Sequence, residues 1–140
     1  MVNQDQIYRS LCPMSCALDV LGDKWTLLVL RDIIFMRKRY FREFLVSSEK
    51  IASNILSDRL RKLKAAGMVL RQPDPDNGCR IIYTVTEKGL GLVPAILELL
   101  RWGARYAVEN SKHDELIRQF DRDPQKLIAE IRSSLNGIRL

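Results

Sequence analysis

Four side chains suited to reading the edges of DNA bases recur at helical spacing near the middle of the chain. Asn54, Ser57, Asp58 and Arg61 fall at i, i+3, i+4 and i+7, which places them on one face of a helix. An amide can pair in bidentate fashion with adenine, a guanidinium with guanine, and a carboxylate can accept from the cytosine amino group. Asp58 has a second reading, in which it positions Arg61 or Lys62 instead of touching a base. Ser53, Arg39, Lys62 and Arg80 are suited to phosphate oxygens, which supply affinity where base edges supply specificity.

Charge is distributed as a polyanion partner requires. The segment from Arg37 to Lys64 carries nine basic and three acidic residues, so it accounts for the whole net charge of +6. The bland alternative is a solvated helix face, but the cluster coincides with the base-reading candidates. Double-stranded DNA is therefore the expected partner. With 140 residues, 46% of them hydrophobic, the chain suits one globular domain. No apolar run approaches the roughly 18 residues of a membrane span. Met1 to Asp5 lacks the pattern of a signal peptide. Three cysteines, an odd number, argue against a disulfide-stapled secreted fold. A cytoplasmic protein without membrane association is expected.

The elements that must hold these side chains can be read from periodicity and caps. Ser53 is the expected N-cap of a helix that ends at Gly67 and buries Leu56, Leu60 and Leu63 as one stripe. Met68–Gln72 and Arg80–Val85 read as two strands around an Asp76-Asn77-Gly78 turn, with Val69, Arg71, Ile81, Tyr83 and Val85 at period two. Upstream, Cys12-Pro13 starts a short helix that stops at Gly22, read as a left-handed cap. Asp23 then caps a core helix from Lys24 to about Met36, and a short helix spans about Tyr40 to Val46. Ile51 pins the following turn. Thr86 caps a long helix that Pro94 should kink. That helix is apolar on two sides, which points to a partner subunit. After Asn110, Leu116, Ile117, Phe120, Leu127, Ile128, Ile131 and Leu135 let one or two terminal helices pack back or across a dimer. The fold expected is α+β, mainly α: a winged helix-turn-helix with a two-stranded β-wing and flanking N- and C-terminal dimerisation helices. Residues 1–110 form the DNA-binding part with its dimerisation helices, and 111–140 a helical extension.

No nucleophile–base pair, phosphate loop or metal cluster is present, so no enzyme is expected. Cys12, Cys16, Cys79 and the single His113 do not make a zinc pattern, and neither cofactor nor metal is expected. His113 reads as a surface group in a polar tail, and Cys79 as incidental. Cys12 opens a helix, where the backbone dipole favours a thiolate, and Cys16 lies one turn on. The alternative for the pair is two small buried apolar side chains.

The chain resembles the HxlR-type winged-helix regulators, which share the architecture of the MarR group. The resemblance rests on Cys12-Pro13 followed by Ala17–Trp25, on the apolar Leu27–Asp32 segment, on Phe41-Arg42-Glu43-Phe44, and on Ile51–Val69 with Tyr83–Gly89. It covers about Cys12 to Tyr106. It departs from the pattern where Met36 stands near the place of a glycine, in the wing tip Pro73–Cys79, and in the tail. The resemblance implies a sequence-specific transcriptional regulator, a repressor acting as a homodimer on an inverted repeat, with one winged helix per subunit and Arg80 matching the arginine of the family's wing. It also implies that Cys12 and Cys16 are candidates for sensing electrophiles or disulfide stress. A small-molecule effector is compatible, because a cavity between the dimer helices could take an apolar ligand. The competing reading is a winged-helix protein–protein adaptor that lacks specific DNA binding.

Overall fold

The computed structural model describes residues 8–136; the signal-peptide reading at Met1–Asp5 lies outside the described residues. The core is organised around α2 (Thr26–Ile34), seven of whose nine residues are buried. The helix is shorter than the expected Lys24–Met36, and Trp25, not Asp23, holds the N-cap place. Asp23 still fastens its start: its Oδ1 accepts from the backbone N–H of Trp25 at 2.8 Å and of Thr26 at 3.0 Å. Helix α1 (Pro13–Leu21) precedes it, with the proline in the first turn. Gly22 is not a left-handed cap, for its φ is −77°. Glycine is needed there for space, since a Cβ would lie 2.3 Å from the carbonyl oxygen of Leu18.

Helix α3 (Phe41–Leu45) buries Phe44 and leads to α4 (Ser53–Ala65), which buries Leu56, Leu60 and Leu63. Ser53 does not cap α4. Extended Ala52 holds that place and its carbonyl accepts from Leu56 N–H at 2.9 Å. The helix thus includes Ser53 as its first residue, where the hydroxyl caps no backbone amide. Gly67 ends α4 in the left-handed conformation, φ +74°, and Met68 N–H closes the turn on Leu63 O at 3.0 Å.

Strands β1 (Val69–Pro73) and β2 (Ile81–Val85) pair antiparallel, with Val69 opposite Val85 and Arg71 opposite Tyr83. The expected alternation fails at two positions: Arg71 is exposed, and Ile82 is completely buried beside buried Tyr83. The hairpin is not an open two-faced ribbon. The 37–39 link runs along its edge, with Tyr83 N–H donating to Arg39 O at 2.8 Å.

Thr86 caps the next helix, its Oγ1 accepting from Gly89 N–H at 3.3 Å. That helix is short, α5 (Glu87–Leu90), and a separate α6 (Val93–Tyr106) follows. Pro94 therefore kinks nothing. It occupies the first turn of α6, where its missing N–H costs no hydrogen bond. Helices α7 (Asp114–Arg122) and α8 (Pro124–Asn136) fold back onto the same chain. Phe120, Leu127, Ile131 and Leu135 join the core cluster of α2, α4 and α6, and Arg132 pairs with Glu87 at 2.7 Å. Leu11, Met14 and Leu18 around α1, and Leu99, Trp102, Tyr106 and Val108 on and after α6, leave large apolar side chains exposed. Among the described residues, no helix is long and apolar enough to cross a membrane.

Candidate nucleic-acid interface

Helix α4 divides cleanly into an anchored and a displayed face. Its three leucines are at most 2% exposed, while Ser53, Asn54, Ser57, Arg61, Lys62 and Lys64 are exposed. Burying three leucines this way stabilises by several kcal/mol, at roughly 1.5–3 kcal/mol each, so the displayed face is held in one orientation. Asn54, Ser57, Asp58 and Arg61 lie together on it.

Asp58 is the hub of the displayed face. Its Oδ1 accepts from Arg61 Nη2 at 2.7 Å, its Oδ2 lies 3.2 Å from Lys62 Nζ, and Arg59 also donates to it. The bond from Lys62 holds its carboxyl below the usual aspartate value, against a smaller contrary effect of burial, and Arg61 and Arg59 add to it. Asp58 is thus ionised and fully engaged, which fits a positioning role better than an acceptor for a base. Arg61 and Lys62 keep side chains 70% and 63% exposed.

Arg59, absent from the sequence-based candidates, turns inward. Its Nε donates to Asp23 Oδ1 at 2.9 Å and ties α4 to the start of α2. Asp23 is shifted down to about 2. Burial pushes it up, but the Thr26 hydroxyl, the Trp25 amide and Arg59 together outweigh that.

The other two cations of the predicted set converge at the base of the wing. Arg80 stacks on the ring of Tyr40, Cζ 3.7 Å from its centroid, and the Tyr40 hydroxyl donates to buried Asp74 at 2.5 Å. The Tyr40 hydroxyl and then the Asp76 amide lower the pKa of the Asp74 carboxyl, and the charges of Arg39 and Arg80 add to this. The Arg39 Nε is buried without a hydrogen-bond partner. The turn itself depends on Asp74 as well as Asn77: Asp74 Oδ1 accepts from Asp76 N–H at 3.0 Å, and Asn77 Oδ1 from Cys79 N–H at 3.2 Å.

A partly buried ionic network, centred on buried Arg31 and Asp32, underlies this frame. Arg31 donates to Asp32 at 2.8 Å and to Glu49 at 2.7 Å, and Lys38 and Ser47 close on the other Asp32 oxygen. It fastens the loop before α4 to α2. Sequence reasoning passed over it, yet a signal existed: Arg31 and Asp32 interrupt an apolar helix, and charges in such a run must be paired. His113 is half-buried, not a surface group, because α7 folds back. Burial and the charges of Arg31 and Lys112 lower its pKa.

Cys12 is exposed at the N-cap of α1, so the reading as a buried apolar pair fails for it. Cys16 is half-buried one turn on, its Sγ donating to Ser10 O at 3.3 Å. Cys79 is exposed at the wing tip.

Residues 20–111, a span that includes α4 and the hairpin, match the family described as HxlR-like helix-turn-helix. The chain belongs to the HxlR-like helix-turn-helix family. Among its relatives, YdeP of Bacillus subtilis, an uncharacterized HTH-type transcriptional regulator, is 35% identical over 68% of this chain and 73% of that protein. The structure of PA1607 is similar with a TM-score of 0.67 and 35% identity, covering 74% of this chain and 72% of that one. The redox regulator HypR in its oxidized form is similar with a TM-score of 0.62 and 31% identity, covering 69% and 99%. Membership makes this HxlR-family chain a helix-turn-helix transcriptional regulator and not an enzyme.

Proposed function

We propose that this regulator is a homodimeric repressor that binds an inverted-repeat operator in the cytoplasm through α4 and the wing. The observation that carries it is the pairing of exposed Arg61 and Lys62 with Asp58 on a helix whose other face is locked into the core. Asn54, Ser57 and Arg61 read bases, Asp58 positions Arg61, and Ser53, Arg39, Lys62 and Arg80 take phosphates. The exposed apolar side chains of α1 and α6 supply the two-fold contact, with residues 111–140 an extension of the same domain. Two half-sites are then expected about 10 bp, or a multiple of that, apart.

The test is selection of an operator from random DNA, followed by fluorescence anisotropy. Arg61→Ala should cost roughly 1–3 kcal/mol and relax one base position. Equal loss on specific and random DNA refutes base reading by Arg61. An adaptor would bind DNA weakly and without salt dependence.

Cys12 is proposed as an electrophile sensor, with Cys16 as its neighbour. It is exposed at a helix start, and HypR, a structural relative, is a redox regulator. Addition to a quinone forms one C–S bond, and the thiol proton ends on the reduced ring oxygen. Cys12→Ser should leave DNA affinity unchanged and remove its loss under quinone. A wild-type protein whose binding ignores quinone overturns the sensor.

A further inference from the structure

A cavity of about 700 Å³ lies between α2, the loop preceding α4, and α6 with the segment that follows it. That is within the roughly 300–1,000 Å³ of small-molecule sites. Leu27, Leu28, Ile96, Leu99, Leu100 and Ala104 give it apolar walls, and Gly103 leaves one of them open: a Cβ added there meets no atom within 4 Å.

Charge decides what fits. The lining includes Asp23, Lys24, Arg31, Glu49, Lys112 and His113. Arg31 is consumed by Asp32 and Glu49, and Asp23 by Thr26, Trp25 and Arg59. Lys24 and Lys112 have no acidic partner among the described residues; the Lys24 Nζ lies 5.1 Å over the Trp25 ring. His113, its pKa lowered, is neutral at pH 7. Two lysines without an acidic partner among the described residues therefore border an otherwise apolar interior.

We infer that this cavity binds an amphipathic monoanion, an aromatic or medium-chain carboxylic acid, with its hydrocarbon body between α2 and α6 and its carboxylate toward Lys112 and Lys24. As an effector site it rests on the proposed reading of the chain as a ligand-responsive DNA binder. The route to the reading face is short. Asp23 lines the cavity and holds Arg59, Arg59 touches Asp58, and Asp58 holds Arg61 and Lys62. Glu49, also in the lining, stands four residues before α4. A ligand acts through this route only as far as it binds two settings of α4 unequally.

The experiment is calorimetric titration of the full chain with 2-naphthoate, octanoate and the neutral isostere 2-naphthylmethanol. DNA anisotropy on the same preparation runs in parallel. 2-Naphthoate should bind at least about tenfold more tightly than the alcohol, the effect of one charge-assisted contact. Lys112→Glu, a change at an exposed residue, should abolish that preference and spare the alcohol. Gly103→Phe should remove binding of both by filling the cavity. Absence of binding by either acid overturns the inference, including the case where a second copy of the chain fills the cavity. Equal affinity for acid and alcohol overturns the ligand class, and binding unchanged in Lys112→Glu overturns the site. Intact specific DNA binding without ligand binding sinks this inference alone; ligand binding without specific DNA binding sinks the regulator reading and leaves the site standing.

Discussion

The hydroxyl of Tyr40 donates to Oδ2 of Asp74 at 2.5 Å, joining the start of α3 to the first residue of the wing tip. Asp74 is buried, and this bond is the largest cause of its lowered pKa and of the raised pKa of Tyr40. The Arg80 guanidinium lies over the same ring, so one side chain aims the wing and holds a cation proposed to meet phosphate. Tyr40→Phe keeps the ring beneath Arg80 but leaves a buried carboxylate oxygen short of a donor. The expected outcome is a lower thermal midpoint and faster amide exchange through residues 74–80, with DNA affinity weakened alike on specific and random sequences. Thermal unfolding, hydrogen exchange and anisotropy check it.

Asp58 restrains the cations it touches. It carries a negative charge into a surface proposed to face phosphates, and is kept ionised by Lys62, Arg61 and Arg59. Asp58→Ala removes that charge and frees Arg61 and Lys62 from one geometry. Affinity for random DNA should rise and its salt dependence steepen, since more phosphates are neutralised. Discrimination between operator and random DNA should fall, because an unheld guanidinium pays more ordering entropy at the base. Anisotropy titrations at several salt concentrations separate the two effects. A fall in affinity for random DNA would show that Asp58 does not act as a restraint.

The displayed face of α4 was legible in the sequence because it depends only on the period of one helix. Leu56, Leu60 and Leu63 set which side of α4 is buried, and everything opposite follows. The hairpin, with glycine at φ +74° ahead of it, was legible for similarly local reasons. Contacts between distant segments were not. Asp23 with Arg59 and Tyr40 with Asp74 are 36 and 34 residues apart, and no periodicity reports them. The break between α5 and α6 was misread because Pro94 fits both a kink and a first turn, and only the chain path at Gly91–Leu92 decides. Nor could the sequence place the left-handed residue of the basic link. It is Arg37, φ +57°, one position after the Met36 that marks the family's departure.

Acid should loosen the frame at the loop before α4. The hydrogen bonds from Arg31 hold the Glu49 carboxyl at about 2, well below its ordinary 4.5, although burial opposes them. Asp23 is held at about 2 against an ordinary 3.8. Both folded values are depressed, so the stability they contribute is present above pH 4.5 and is lost as pH falls from there towards 2. Glu49→Gln should lower stability at pH 7 and flatten the fall over that window, with Arg31 left a weaker partner. Denaturant unfolding at pH 7, 4 and 2.5 reads the slope. An unchanged slope in Glu49→Gln would place the acid sensitivity elsewhere.

Two glycines separate backbone conformation from space. Gly67 is left-handed at φ +74°, but an added Cβ would meet nothing closer than Lys88 Cδ at 4.0 Å. Gly67→Ala should therefore cost only the conformational term, about 1–2 kcal/mol. Gly89 has no such φ, yet a Cβ there would lie 2.5 Å from Val85 Cγ2 and 2.6 Å from Met68 O. That carbonyl also accepts from Thr86 N–H at 3.0 Å, which closes the hairpin onto α5. Gly89→Ala must push backbone as well as side chain, and should cost about 1–3 kcal/mol or more. The variants should also differ in kind. Gly67→Ala lowers the unfolding midpoint with little change in hairpin exchange rates, whereas Gly89→Ala speeds amide exchange at Val85 and Thr86 because it parts Thr86 from Met68, the residue that leads into β1. If the two variants affected those amides equally, the packing of Gly89 would not be what sets the hairpin against α4.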